Sequence, residues 1–250
     1  MKDRSALRGL LIAALTFVGA ALVSAPTDAD ALDIDLGARL GLNYNLLTKP
    51  HDPAGEPTLM HGSAFSGMGF TFGPAATMPL LDLDGSLLAL EVDLLYSYHS
   101  GRGFEEFTPE GGATQRRTVS IATHAVRVPV LVKLSGRPGQ TRMRVGVGPD
   151  LVLGLASSST VSHENIPEDP VPLETAPKTH LTLTTAIGLD WYTSDLIVPF
   201  EVRVNWNPFV GSSTRERFED YQDLDNPGIY SVAFDWQIMF MTGVSWSNLF

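Results

Sequence analysis

Residues 230–250, YSVAFDWQIMFMTGVSWSNLF, restrict the fold more than any other stretch of the chain. At the even-numbered positions all but Thr242 and Asn248 are apolar or aromatic, among them Phe234, Trp236, Ile238, Phe240, Val244 and Trp246. The odd-numbered positions are mostly small or polar, with Met239, Met241 and Leu249 as exceptions. A period of two places the two sets on opposite faces of a strand, so this strand borders two different solvents. A soluble sheet would need a second layer over so broad an apolar face, and an edge strand this apolar would aggregate. Lipid is the remaining candidate. At about 3.3 Å per residue and a tilt of roughly 40°, Trp236 and Trp246 stand about 25 Å apart along a membrane normal, the spacing of the aromatic girdles on a membrane barrel.

The same period recurs upstream. Residues 32–44 alternate Leu32, Ile34, Leu36, Ala38, Leu40, Leu42 and Tyr44 with Asp33, Asp35, Gly37, Arg39, Gly41 and Asn43. Further strands are expected over 62–73, 87–99, 118–135, 142–156, 179–192 and 197–208, which makes eight with the last. Pro, Gly, Ser and charged residues dominate 45–61, 100–117, 157–178 and 209–228, and these read as long loops. The remaining connections, 74–86 with its Asp84-Gly85, the Gly-Arg-Pro-Gly turn at 136–139 and 193–195, are shorter. Long and short links therefore alternate in a fixed order, and an even strand number brings both termini of the barrel chain to the short-turn, periplasmic side.

Charge falls on one parity only. On 118–135, Val126, Val128, Val130 and Val132 share a face, while Arg127 and Lys133 share the other. On 197–208, Val198, Phe200, Val202, Val204 and Trp206 oppose Glu201, Arg203, Asn205 and Asn207. A water-soluble barrel has an apolar interior and a polar exterior. Here the charged parity also carries the glycines, as a narrow lumen requires. The expected fold is all-β, an eight-stranded antiparallel up-and-down transmembrane β-barrel over 32–250, with aromatic belts of Tyr44, Tyr96, Tyr98, Trp206 and Trp236 at one rim and Phe72, Trp191, Trp246 and Phe250 at the periplasmic rim.

Residues 1–31 read as a secretory signal peptide. Lys2, Arg4 and Arg8 precede an apolar run over 10–23, and Ala29-Asp30-Ala31 offers a small-residue cleavage site, with Ala25 and Ala29 as rival positions. Beyond it no apolar run is long enough for a spanning helix. The net charge of −11 argues against nucleic acid as a partner. With no cysteine, the chain has neither disulfides nor thiolate metal sites, which suits folding across the periplasm.

Four motifs resemble the PorT-type family of small outer-membrane β-barrels, also called porin-family proteins. Leu88-Ala89-Leu90-Glu91-Val92-Asp93-Leu94-Leu95-Tyr96-Ser97-Tyr98 with Gly101 resembles the family's L-x-x-E-L-L-Y-S…G stretch, with Asp93 nearest the usual acid. Val126-Arg127-Val128-Pro129-Val130-Leu131-Val132-Lys133 resembles its L-x-I-P-L-L-x-K strand, and Val145-Gly146-Val147-Gly148-Pro149 its x-x-G-x-G-P strand. Trp206-Asn207 and the terminal Phe250 resemble the last hairpin and the C-terminal signal of outer-membrane barrels. The resemblance implies an OmpA/OmpX-like eight-strand barrel in the bacterial outer membrane. It implies no single activity, because such barrels host several.

The inward charges are the main candidate site. Asp35, Glu91, Asp93, Asp150, Asp190, Glu201 and Asp235 meet Arg39, Arg127, Lys133, Arg144 and Arg203 in a narrow tube, where opposite charges pair because an unpaired buried charge is costly. The expected result is a lumen ion-pair network that fills the barrel. The function expected is a structural or surface-interaction scaffold presenting four extracellular loops, with outer-membrane lipid and lipopolysaccharide around it and the barrel-assembly machinery engaging the C-terminal strand. The extracellular ligand is not named by the sequence. The alternatives are a narrow porin-like channel for small solutes and an outer-membrane lipid-modifying enzyme. For the latter, Ser97, His99, Ser100, His124 and Glu91 form the best available nucleophile, base and acid set, but no spacing among them is diagnostic. The acids Glu219, Asp220, Asp223 and Asp225 lack the spacing of an EF-hand and read as a solvated loop. No catalytic residue, metal or cofactor is expected.

Overall fold

In a computed structural model, the described residues are 34–47, 61–62, 65–107, 115–136, 139–163, 171–173, 175–177, 179–193, 196–208, 230–232 and 234–246. The signal-peptide segment 1–31 and Phe250 lie outside them, as do the acids Glu219, Asp220, Asp223 and Asp225.

Eight strands form the wall. They are β1 (Asp35–Leu47), β2 (Phe65–Leu83), β3 in two segments (Ser86–Asp93 and Leu95–Phe107), β4 (Gln115–Ser135), β5 (Thr141–His163), β6 (His180–Tyr192), β7 (Leu196–Trp206) and β8 (Phe234–Trp246). Each pairs antiparallel with its chain neighbours, and β1 pairs with both β2 and β8, so the sheet closes on itself. At the seam Leu36 faces Trp246 and Leu46 faces Trp236. Closure removes the edge that would otherwise offer unpaired backbone groups.

Both segments of β3 pair with β2 in one register and are bridged at Leu94, whose N–H donates to the Pro74 carbonyl at 3.0 Å. The connections at one end are tight. Asp84 (φ 49°) and Gly85 (φ 97°) both occupy the left-handed region, as a two-residue hairpin turn demands, and the Gly85 N–H donates to Asp82 Oδ1 at 3.2 Å. Gly136 N–H reaches the Met143 carbonyl, and Thr193 N–H the Leu196 carbonyl, each at 2.8 Å.

The strand boundaries differ from those expected in an informative way. Residues 74–86 are not a long turn: β2 continues through them to Leu83. The strand tolerates both of its prolines: Pro74 offers its carbonyl to Leu94, and a register shift between Pro79 and Leu81 absorbs the second. At the other end, β3, β4 and β5 run beyond their expected limits, to Phe107, Gln115 and His163. Ser158–Thr160 pair with Ser120–Ala122, and Gly101 and Gly103 pair with Ile121 and Val119. Short ribbons extend this taller wall: His61–Gly62 pairs with Glu105 and Glu106, and Val171–Leu173 pairs with residues 159–161. Thr175–Pro177 and Tyr230–Val232 form a separate parallel pair.

The alternation maps onto the two faces. Leu40, Leu42, Met68, Met143, Ile187, Phe200 and Phe240 are exposed, Phe240 by 61%. Arg39, Glu91, Arg127, Lys133, Asp150 and Arg203 are buried. Glycine lines the inner parity where strands crowd: a Cβ on Gly69 would run into the Tyr98 carbonyl and the Asn43 side chain. A surface with this many large exposed apolar side chains is solvated by lipid. Among the described residues no helix is long and apolar enough to cross a membrane; this chain crosses with strands.

Candidate functional site: the filled lumen

Residues from all eight strands meet inside the barrel, β2 contributing Thr71 and Thr77. Toward the short-turn end, Glu91 on β3 is fully buried and accepts hydrogen bonds from three cations. These are Lys133 Nζ at 2.5 Å, Arg203 Nη2 at 2.7 Å and Arg39 Nη2 at 3.0 Å. Glu201 on β7 accepts from Lys133 at 2.7 Å and from Arg203 Nε, and lies 3.0 Å from Arg144 Nη2. Arg203 Nη1 donates to Asp93 at 2.6 Å, Arg144 pairs with Asp190 at 2.8 Å, and Arg39 Nη1 donates to Ser245 Oγ at 2.9 Å. Four bases (Arg39, Lys133, Arg144, Arg203) thus face four acids (Glu91, Asp93, Asp190, Glu201), and the cluster carries no net charge.

Toward the end with long connections the lumen changes character. Arg127 donates to Asp150 and to Gln237 Oε1. Gln237 Nε2 donates to Asn45 Oδ1 at 2.5 Å and stands 2.9 Å from His99 Nδ1. Asn205 Nδ2 donates to Gln237 Oε1 at 2.9 Å, and Thr184 Oγ1 donates to Asn205 Oδ1 at 2.6 Å. Asn43 Nδ2 lies 3.4 Å from His99 Nδ1. Leu95, Met239 and Met241 form a buried apolar cluster where the two layers meet. The Met239 sulfur takes contacts from Arg127 at 3.2 Å and Asn205 at 2.9 Å.

Of the charged residues singled out in the sequence, eight join the lower cluster, and Arg127 and Asp150 form a separate pair above it. Asp35 stands half-buried at the short-turn end of β1, and the Asp235 side chain lies outside the described residues. The sequence puts Asn43 and Asn205 on the inward face but does not show that the amides gather into a layer. Asn43, Asn45, Asn205 and Gln237 share the inward parity, and that was the signal available.

The Ser/His/acid set is not gathered. Ser97 and His99 are buried in the lumen, where Ser97 Oγ donates to Thr71 Oγ1 at 2.8 Å. Ser100 and His124 lie on the outer face; Ser100 donates to the Met68 carbonyl, and His124 Nδ1 is 2.5 Å from Tyr96 Oη. The barrel wall separates the two pairs.

Outside, Trp206 and Trp236 stack with ring centroids 5.9 Å apart, and Tyr44, Trp191 and Trp246 are exposed. Phe72 is a correction to the expected belts. It is the register partner of Tyr96, with ring centroids 5.4 Å apart, and so stands beside that tyrosine rather than at the opposite rim.

No protein-family model matches the sequence, and no curated protein matches it. Solved structures do resemble the fold. Neisserial surface protein A is 10% identical over 85% of this chain and 96% of its own, with a TM-score of 0.37. The outer membrane protein OprG from Pseudomonas aeruginosa is 9% identical over 87% and 93%, with a TM-score of 0.33. The outer membrane protease OmpT from Escherichia coli is 11% identical over 89% and 100%, with a TM-score of 0.43. From its own geometry, with an apolar belt outside, paired charges inside, eight closed strands and tight turns at one end, this chain is an outer-membrane β-barrel protein.

Proposed function

We propose that this protein is a non-conducting outer-membrane scaffold that works through the surface it presents outside the cell. One observation carries the reading: a charge-matched cluster centred on Glu91 and Arg203 joins side chains from β1, β3, β4, β5, β6 and β7 across the lumen. Eight strands leave an interior that side chains alone can fill. Ions crossing it would have to break several buried pairs, each costly to separate.

In this reading the short turns face the periplasm and the taller β3–β5 wall rises outside. Any extracellular ligand meets that wall and the long connections. The closing strand β8, paired on both sides, is the segment offered to the barrel-assembly machinery. The protein has no catalytic role in this reading, since Ser97 and His99 are divided by the wall from Ser100 and His124.

The test is electrical. Refolded protein, whose insertion is verified by a heat-dependent gel shift, gives no single-channel steps in planar bilayers. Discrete, reproducible steps overturn the scaffold and favour a narrow pore. Mass spectra of lipid A from cells with and without the protein are expected to coincide; a difference would make it a lipid-modifying enzyme.

A further inference from the structure

The outer face of β2–β5 can be read upward in register rows. The lowest holds Phe72 and Tyr96, and the next Phe70, Tyr98 and His124. Their rings form one cluster, with centroids 5.5 Å apart for Phe70 and Tyr98 and 5.2 Å for Tyr98 and His124. Two residues higher the chemistry switches. Met68, Ser100, Ala122 and Ser158 make one mixed row, and Ser66, Arg102, Ser120 and Thr160 make the next, wholly polar, across four adjacent strands.

A cavity of about 290 Å³ opens on this face, lined among others by Tyr98, Ser100, Arg102, Ser120, Ser158 and Thr160. Tyr98 thus belongs both to the aromatic cluster below and to the hydroxyl-lined pocket above. The change from aromatic to polar rows marks the level where the acyl region gives way to headgroups.

We propose that this pocket holds the phosphorylated sugar headgroup of an outer-leaflet glycolipid, with its acyl chains running down the Phe70–Phe72–Tyr96 wall. The inference rests on the membrane placement proposed above and gives the lipid partner a site. Arg102 supplies a guanidinium fork for one phosphate, the geometry such groups recognise best. The serine and threonine hydroxyls both donate and accept, as sugar hydroxyls require. The Tyr98 ring offers an amphipathic wall at the boundary, apolar toward the chains and polar toward the headgroup. A free sugar phosphate would satisfy the upper rows and leave the aromatic wall unused, so a lipid is the occupant the surface fits.

The experiment uses the full barrel in lipid nanodiscs, with insertion confirmed by the gel shift before binding is measured. Diphosphorylated lipid A is titrated against wild type, Arg102→Gln and, as a control remote from the pocket, Arg142→Gln, at the short-turn end of β5, where the guanidinium lies 4.3 Å from the Tyr192 ring centroid. Arg102→Gln is expected to weaken binding about tenfold or more, as loss of a charge-assisted phosphate contact does, while Arg142→Gln binds like wild type. Lipid A stripped of its phosphates is expected to bind wild type as weakly as lipid A binds Arg102→Gln. Equal affinity for wild type and Arg102→Gln in inserted barrels overturns the site. Free glucosamine phosphate binding as tightly as lipid A overturns the lipid assignment. Failure of wild type to insert at all would instead sink the membrane placement, a result the gel shift separates from the others.

Discussion

Toward the short-turn end the lumen sets Arg39, Lys133, Arg144 and Arg203 against Glu91, Asp93, Asp190 and Glu201; toward the other end, one Arg127–Asp150 pair sits among amides, a hydroxyl and the His99 imidazole. Both halves are buried and both are cross-linked by hydrogen bonds. They differ in what their groups can exchange. A guanidinium or ammonium only donates and a carboxylate only accepts, so each contact in the lower layer has a fixed direction and a fixed partner type. Amides, hydroxyls and imidazole do both, so the upper layer can redistribute its contacts when one member is lost. The lower half should therefore fail sharply and the upper half gradually.

The largest expected effect tests the lower half. Glu91→Gln keeps the shape but leaves four bases against three acids, with Arg39, Lys133 and Arg203 all losing an ionised acceptor. Breaking a buried ion pair from one side costs about 3–5 kcal/mol, and urea unfolding of the lipid-inserted barrel should show a loss of that order. Adding Lys133→Met restores the match of charges and should recover part of the loss, since coupled neighbours are non-additive by roughly 0.5–3 kcal/mol. If Glu91→Gln unfolds at the wild-type urea concentration, charge matching does not stabilise the lower layer and the contrast between the halves is gone.

A smaller effect tests the upper half. Asn205→Ala removes a donor to Gln237 and Met239 and an acceptor for Thr184. The orphaned groups should cost about 1–3 kcal/mol, toward the low end because Gln237 keeps Arg127 and Asn45. A loss as large as that of Glu91→Gln would show that the upper layer is as rigid as the lower.

This contrast also explains what could be read from the sequence. Period-two alternation exposed the strands wherever the two faces meet different solvents: Leu40 and Leu42 against Arg39 and Asn43, or Val202 and Val204 against Glu201 and Arg203. Where the outward residues turn polar the period fades, so the Gly101–Gly103 and Ser157–Ser159 stretches looked like loops although they continue β3 and β5 and keep Gly101, Gly103 and Ser159 buried. The parity of the lumen charges was equally visible, because ionised groups stand out against Val and Leu. Their pairing was not. Glu91 and Arg203 lie 112 positions apart, and only closure of the sheet brings them to 2.7 Å. The amide layer was the hardest to see: parity put Asn43 and Asn205 on the charged face, but an amide stands out less than a charge and nothing local shows which partners it meets.

The smallest expected effect falls on the boundary between the halves. Met239 is 1% exposed and packs with Leu95 and Met241, while its sulfur meets Arg127 from one side and Asn205 from another. Met239→Leu nearly conserves volume and keeps the apolar contacts, so packing alone should cost less than about 1.5 kcal/mol. The substitution removes only the sulfur as an acceptor. A thioether accepts weakly, and both donors keep stronger partners, Asp150 for Arg127 and Gln237 for Asn205. The variant should therefore unfold within a small shift of wild type, below Asn205→Ala and far below Glu91→Gln. If it costs more than Asn205→Ala, the seam itself holds the two layers in register, and the lumen is better described as one network hinged on Met239 than as two.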